Sequence, residues 1–203
     1  MLNPSLKLRG VSNGMISYTV ELVDRKAVRD FIEKHHYSHN VNGVMSSYCF
    51  GLYDNLEMVG AMLFGKLGMA NAWKKYGKSE NDVLELRRLV CIDDTPKNTE
   101  SYFIGKCLRW LKKNTAVKTI VSYADPNYGH QGVIYQATNF KNIGKTARGK
   151  VIIWNGKKYH DKAIRTKYKG SLKPFAQQLK QALLDGEAHY KTQEPKIIYV
   201  KEL

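Results

Sequence analysis

The succession of hydrophobic periods along the chain constrains the fold more than any other feature. Residues 48–53 and 58–64 are β-rich runs joined at Asp54-Asn55, a tight-turn pair, and together predict a hairpin. This hairpin lies between strand–helix units. Before it, residues 17–23 alternate as a strand, and Asp24 is placed to cap a helix with Ala27, Val28, Phe31, Ile32 and His35 on one face. After it, residues 83–90 read as a strand, and Asn98 or Thr99 opens a helix striped by Phe103, Ile104, Cys107, Leu108 and Leu111. Residues 119–124 form a buried-looking strand, followed by a short helix at 133–138 and strands near 141–146 and 150–154. Ser171 is placed to cap a last helix carrying Phe175, Leu179, Ala182 and Leu183, and Gly186 stops it. Residues 197–200 suit an edge strand. A hairpin embedded among strand–helix units excludes an all-parallel sheet. It predicts an α/β fold (α+β mixed sheet), with the central sheet flanked by helices. No repeat or Pro/Ser-rich linker interrupts the chain, so the expected organisation is one domain over 1–170 with a C-terminal helix and edge strand, 171–203, packed on it.

The charge points to the partner. Against 18 acidic residues the chain carries 33 Lys and Arg, a net +15. Such a surplus attracts polyanions, and each phosphate neutralised releases counterions, so nucleic acid is the expected partner. The density is highest over residues 141–173, where Lys145, Arg148, Lys150, Lys157 and Lys158 are candidate DNA contacts and Trp154, Tyr159 and Tyr168 are interleaved. Alternating cations and aromatic rings on short strands can hold a phosphate backbone and stack an unpaired base. No apolar run approaches the roughly 20 residues needed to cross a bilayer. The start, Met1-Leu2-Asn3-Pro4-Ser5, has no signal-peptide character, which predicts a cytoplasmic protein without a membrane partner. Three distant cysteines, Cys49, Cys91 and Cys107, suit reduced thiols better than a disulfide framework.

The element order is similar to that of the GNAT acyltransferase superfamily. The stretch from Tyr128 through Gly132, Tyr135 and Asn139 to Phe140 resembles that superfamily's last helix, whose tyrosine protonates the departing thiolate of coenzyme A; Tyr135 is its counterpart by position. The loop from Cys91 to Ser101 departs from the superfamily pattern. It has no glycine before Gly105, whereas the superfamily cradles pyrophosphate on a glycine-rich turn. Acetyl-CoA as donor is therefore open. A closer resemblance covers about residues 30–145. The blocks His35-His36-Tyr37-Ser38-His39, Glu85-Leu86-Arg87-Arg88-Leu89-Val90, Lys97-Asn98-Thr99-Glu100-Ser101-Tyr102, and Ser122-Tyr123-Ala124-Asp125 continuing to Phe140 resemble, in this order, the phage Mom family. Its members have a GNAT-like fold and modify adenine in phage DNA, shielding it from host restriction nucleases. The resemblance implies a carbamoylmethyl (acetamido) group on adenine's exocyclic amine. It also brings a metal, iron, into consideration. An ordinary acetyl-CoA-dependent N-acetyltransferase and a noncatalytic DNA-binding anti-restriction protein are the alternatives, and a homodimer is compatible with either.

The candidate site follows from residue types and these blocks together. Asp125 emerges at the C-terminal edge of a strand, where ligands of open α/β sheets bind, and suits a base or a metal ligand. Tyr135 is the candidate acid, with His36 assisting. His36 and Asp125 could form a two-His-one-carboxylate iron site completed by His39 or His130. Two-residue periodicity sends Arg87 and Arg88 to opposite faces, and the matching block selects Arg88 to hold the donor. Ser101, Tyr37, Ser122 and Tyr123 complete the donor- and substrate-binding set. His35, on the apolar stripe of the first helix, is expected in the core. Adenine's amine is sequestered in a duplex, so the base must be extruded into an aromatic pocket to which Tyr37, Trp73 or Tyr76 would contribute.

Overall fold

The computed structural model describes residues 18–39, 41 and 43–203. The Met1–Ser5 segment, expected to lack a signal sequence, and Ser17 lie outside the described residues. Strand β1 (Tyr18–Leu22) leads into helix α1 (Arg25–His35), whose first turn is capped by Asp24 accepting from the Ala27 amide at 2.7 Å. The predicted hairpin is β2 (Tyr48–Asp54) and β3 (Glu57–Gly65), with Asn55 in the left-handed conformation that the turn requires. β4 (Val83–Cys91), α2 (Thr99–Asn114), β5 (Thr119–Ala124), α3 (Val133–Ala137) and β6 (Lys141–Lys145) follow. β1 to β4 are mutually antiparallel, whereas β4 and β5 run parallel. The sheet is therefore mixed, as the embedded hairpin predicts.

Packing on the two faces follows strand alternation. Val28 and Ile32 of α1 close over Cys49, Ala61 and Leu63. Phe50 meets Phe64 and the α2 residue Trp110 edge-on, and Phe103, Ile104, Cys107 and Leu111 of α2 are fully buried. Each such side chain contributes about 1.5–3 kcal/mol on leaving water. Cys49 and Cys107 are buried free thiols, and Cys91 is a half-buried one. Burial pushes the Cys91 thiol up to about 12, so none of the three is a nucleophile.

The C-terminal region differs from its expected arrangement. After β7 (Lys150–Trp154) and β8 (Lys157–His160) come the two-residue strands β9 (Lys167–Tyr168) and β10 (Ser171–Leu172). Helix α4 (Pro174–Leu184) follows, then β11 (His189–Thr192) and β12 (Ile197–Glu202). Strand β12 is an inner strand of the seven-stranded sheet, whose order is β1-β2-β3-β4-β5-β12-β6. Tyr199 on it is 1% exposed; an edge strand could not bury a ring that completely. Ser171 lies in β10, and α4 begins at Pro174 without a side-chain cap. The compact units do not follow a 1–170/171–203 division. One comprises residues 1–123, 132–143 and 198–203, and the other 124–131 and 144–197. The smaller unit holds the three-stranded sheet β11-β7-β8 and α4, which packs Leu179 and Ala182 on Ile152.

Candidate active site

Strands β4 and β5 pair at three positions, Val83 with Thr119, Leu84 with Ile120 and Glu85 with Val121. Beyond these, β4 continues along β3 to Cys91 with no further partner on β5. The backbone ladder between the two strands ends there. The Ser122 hydroxyl donates to the Leu86 carbonyl at 3.2 Å.

Strand β4 carries a bulge. Leu63 lies opposite Arg88 and Phe64 opposite Leu86, so Arg87 is an extra residue. The extra residue interrupts the two-residue period on which the arginines were expected to take opposite faces. The two differ in their partners. Arg87 forms an ion pair with Glu85 at 3.0 Å and donates to the Lys66 carbonyl at 2.8 Å. The Arg88 guanidinium, half-buried, donates among the described residues to the Arg87 carbonyl alone, at 2.7 Å, and its Nε has no partner among them. Burial lowers its pKa, opposed by the neighbouring Tyr37. A half-buried cation with no ion-pair partner among the described residues is costly unless a ligand supplies the counter-dipole.

Tyr135 comes to the same region from α3. Its ring packs between Phe140 and Tyr199, at 5.6 and 5.3 Å. Burial raises the pKa of its phenol; contact with the Ser122 hydroxyl offsets part of the rise, and Tyr37, Glu100 and Glu85 add to it. The group is thus a protonated phenol at any physiological pH. Gly132, at φ +78°, allows this packing, since a Cβ there would stand 2.2 Å from the Tyr199 ring. Tyr37 stacks on His36 at 4.2 Å. The His36 Nδ1 accepts from the Ser38 amide at 3.0 Å, which leaves the proton of a neutral ring on Nε2.

Tyr135, Ser122, Tyr37, His36 and Arg88 are therefore brought together. Glu85, which pairs with Arg87, was missed; the i, i+2 spacing of Glu85 and Arg87 in a strand was the available signal for it. His36, not His35, is the buried histidine (6% exposed), because the helix ends at His35 and its period no longer governs the next side chain. Tyr123 points elsewhere: it packs with Trp73 and Tyr76 around Val83 and Val121, and burial pushes its phenol far up. Trp73 and Tyr76 thus form a separate aromatic group from Tyr37.

Ser101 donates to the Asn98 carbonyl at 2.9 Å in the first turn of α2, where Asn98 is left-handed and no side chain caps the helix. It also lines a cleft of about 410 Å³ with Arg109 and Lys112 of α2, Ala137 to Asn139, and Lys201. None of these three cations has an ion-pair partner among the described residues.

Asp125 belongs to the smaller unit. Its carboxylate takes the Asn127 amide at 3.0 Å, the Asn127 Nδ2 at 2.8 Å and the Lys196 ammonium at 3.0 Å. Burial pushes its pKa up, but these hydrogen bonds and the Lys196 charge outweigh burial and hold it below the usual carboxylate range. The expected iron site is not formed: among the described residues no three His, Cys, Asp or Glu side chains gather as a metal-binding group. His36 is engaged by Ser38 and Asp125 by Lys196, so the pair is not preorganised for a cation, and neither His39 nor His130 completes it. Lys145, Lys150, Lys157 and Lys158 are exposed on the strands of the basic segment, and exposed Arg148 lies 3.9 Å from Glu194. Among the described residues no helix is long and apolar enough to cross a membrane.

The model of the Mom protein family matches residues 17–199. Over 138 residues the chain is 30% identical to the methylcarbamoylase Mom of Escherichia phage Mu; the match takes in 66% of this chain, which spans 56% of that relative's length. Among solved structures, the ribosomal-protein-S5-alanine acetyltransferase of Vibrio fischeri aligns with a TM-score of 0.52 at 10% identity, covering 95% of this chain and 97% of that one. A Bacillus subtilis acetyltransferase in complex with CoA aligns with 0.51 at 13% identity, covering 91% and 97%. The fold is that of these acetyltransferases.

Proposed function

Because this chain belongs to the Mom protein family, we propose that it is a phage-type transferase that adds a carbamoylmethyl (acetamido) group to the exocyclic amine of adenine in DNA and so protects the DNA from restriction. One observation carries the reading: the Tyr135 phenol, whose pKa burial raises, contacts the Ser122 hydroxyl, and Tyr37 neighbours both this phenol and the half-buried Arg88 guanidinium. An acid and a cation that share a neighbour suit group transfer, in which negative charge develops on the atoms that depart.

A coenzyme A thioester fits these residues. The unpaired edge of β4 matches an extended amide-bearing arm as it would a strand. The loop lacks the glycine cradle, but Arg109, Lys112 and Lys201, opposed by Glu202, line a cleft whose surplus of cations suits phosphates. When bound, an acyl thioester would supply a carbonyl carbon and a thiolate leaving group and so give an N-acyl amide; the carbamoylmethyl product instead needs a donor that presents a methylene carbon with its own leaving group, the new N–C bond forming as that group departs and the amine loses a proton. Tyr135 would give its proton to the departing group, Arg88 would hold the donor's polar oxygen, and Tyr37, stacked on His36, would line the pocket. Asp125 orients the 125–129 turn through Asn127 and Lys196. No step runs through iron. The basic smaller unit takes the DNA backbone, with Lys145, Arg148, Lys150, Lys157 and Lys158 as contacts.

Nucleoside mass spectrometry of DNA from cells expressing the protein tests the reading. Carbamoylmethyl-adenine is expected. Acetylated amines with unmodified DNA would favour an ordinary N-acetyltransferase instead, a reading that the likeness to CoA-bound acetyltransferases keeps in play.

A further inference from the structure

Thirteen of the chain's 33 cationic side chains, against five of its 18 acids, fall in the 62 residues of the smaller unit, a surplus of eight. Within that unit the β9–β10 hairpin has a particular construction. Tyr168 pairs with Ser171 and Lys167 with Leu172, so the loop is only Lys169-Gly170. Both loop residues have positive φ, +49° and +84°, the signature of a tight primed turn. Such a turn is stiff and narrow. Its base is tied down: Gln177 of α4 donates to the Leu172 carbonyl at 3.0 Å, and Pro174 starts the helix immediately after.

The tip carries a large ring that packing does not use. Tyr168 is 60% exposed, and among the described residues its ring contacts are the ammonium groups of Lys169 and Lys173, at 5.8 and 5.4 Å. Neither lysine, nor Lys167, has an ion-pair partner among the described residues; the acids of this unit that form ion pairs are taken by Arg148, His160, Arg165 and Lys196. An exposed aromatic residue on a stiff finger, ringed by free cations, matches a polyanion with a stack of flat bases. Extruding a base leaves a gap in that stack, and an inserted side chain fills it.

We propose that the β9–β10 hairpin is a wedge that enters the base stack of duplex DNA, with Tyr168 stacking on the bases and Lys169 and Lys173 gripping the flanking phosphates. The proposal rests on the reading of the protein as an enzyme that acts on adenine in DNA. On binding, the two ammonium groups leave the ring for phosphate oxygens and free its faces.

The test uses the full chain and duplex DNA containing 2-aminopurine, whose fluorescence rises on unstacking. Wild-type protein is expected to raise the signal. Tyr168→Ala abolishes the rise and weakens duplex binding by about five- to a hundredfold, the range for one base–aromatic stack, and Tyr168→Trp keeps both. Because Tyr168 is exposed, thermal melting of the variants is unchanged. A wild-type rise that Tyr168→Ala retains, or bound duplex with no rise for wild type, overturns the proposal. Nucleoside mass spectrometry separates the two readings: modification by Tyr168→Ala of single-stranded but not duplex DNA is expected. Absence of modified adenine with wild-type protein on either substrate sinks the functional reading, while the fluorescence still decides the wedge.

Discussion

Replacing Gly132 with alanine tests whether the packing that holds Tyr135 is as close as the structure indicates. Two costs arise. The backbone there has φ +78°, and a left-handed conformation costs an L-residue about 1–2 kcal/mol. The new Cβ would also lie 2.2 Å from Tyr199 Cε2 and 2.5 Å from Cζ. Tyr199 is 1% exposed, packs on Tyr135 and has its hydroxyl bonded to Gln136 Nε2 at 2.9 Å, so it has little room to yield. Overpacking of this kind costs about 1–3 kcal/mol. Gly43→Ala supplies the control: its φ is +70°, but nothing lies within 4 Å of its Cβ position, so only the backbone cost applies. Urea denaturation is therefore expected to find Gly132→Ala about 1–3 kcal/mol less stable than Gly43→Ala, or about 2–12 °C lower in Tm for a chain of this size. Adding Tyr199→Leu should remove most of the excess and make the pair clearly non-additive. Equal losses for the two glycines, or strict additivity with Tyr199→Leu, would refute the reasoning.

Three further outcomes follow from the site. Tyr135→Phe is expected to lower turnover by about 10²–10⁴ with little change in melting temperature, as loss of a general acid would; turnover at the wild-type rate would remove Tyr135 from the chemistry. Arg88→Met should leave stability unchanged or slightly higher while weakening donor binding, since it removes a half-buried cation without orphaning an ion-pair partner among the described residues, and a large destabilisation measured by denaturation would contradict that account. The Asp125 carboxylate has a lowered folded-state pKa, so its stabilisation is present above the unfolded value near 4 and is lost as pH falls through the folded one. Asp125→Asn should thus cost about 1–3 kcal/mol at neutral pH and flatten the acid limb of the stability profile, and an unaltered acid limb would show that the Lys196 and Asn127 contacts carry no such weight.

Local sequence determined most of the elements. Hydrophobic period, the Asp24 cap and the Asp54-Asn55 turn are short-range signals, and they sufficed for a mixed sheet built around a hairpin. The family resemblance carried by the 35–39, 85–90 and 122–140 blocks nominated Tyr135, His36, Tyr37, Arg88 and Ser122 as candidates. What these signals could not give was direction and partnership. The β4 bulge interrupts an alternation argument, because one extra residue breaks the two-residue period. The end of α1 at His35 exchanges the expected burial of two neighbouring histidines. The position of β12 inside the sheet, the pairing of Arg87 and not Arg88 with Glu85, and the capture of Asp125 by Lys196 all join residues distant in sequence or choose between equivalent ones. Such choices depend on which groups lie opposite each other once the strands are in register, and on which charges then find a counterion. That information exists only in the packed structure.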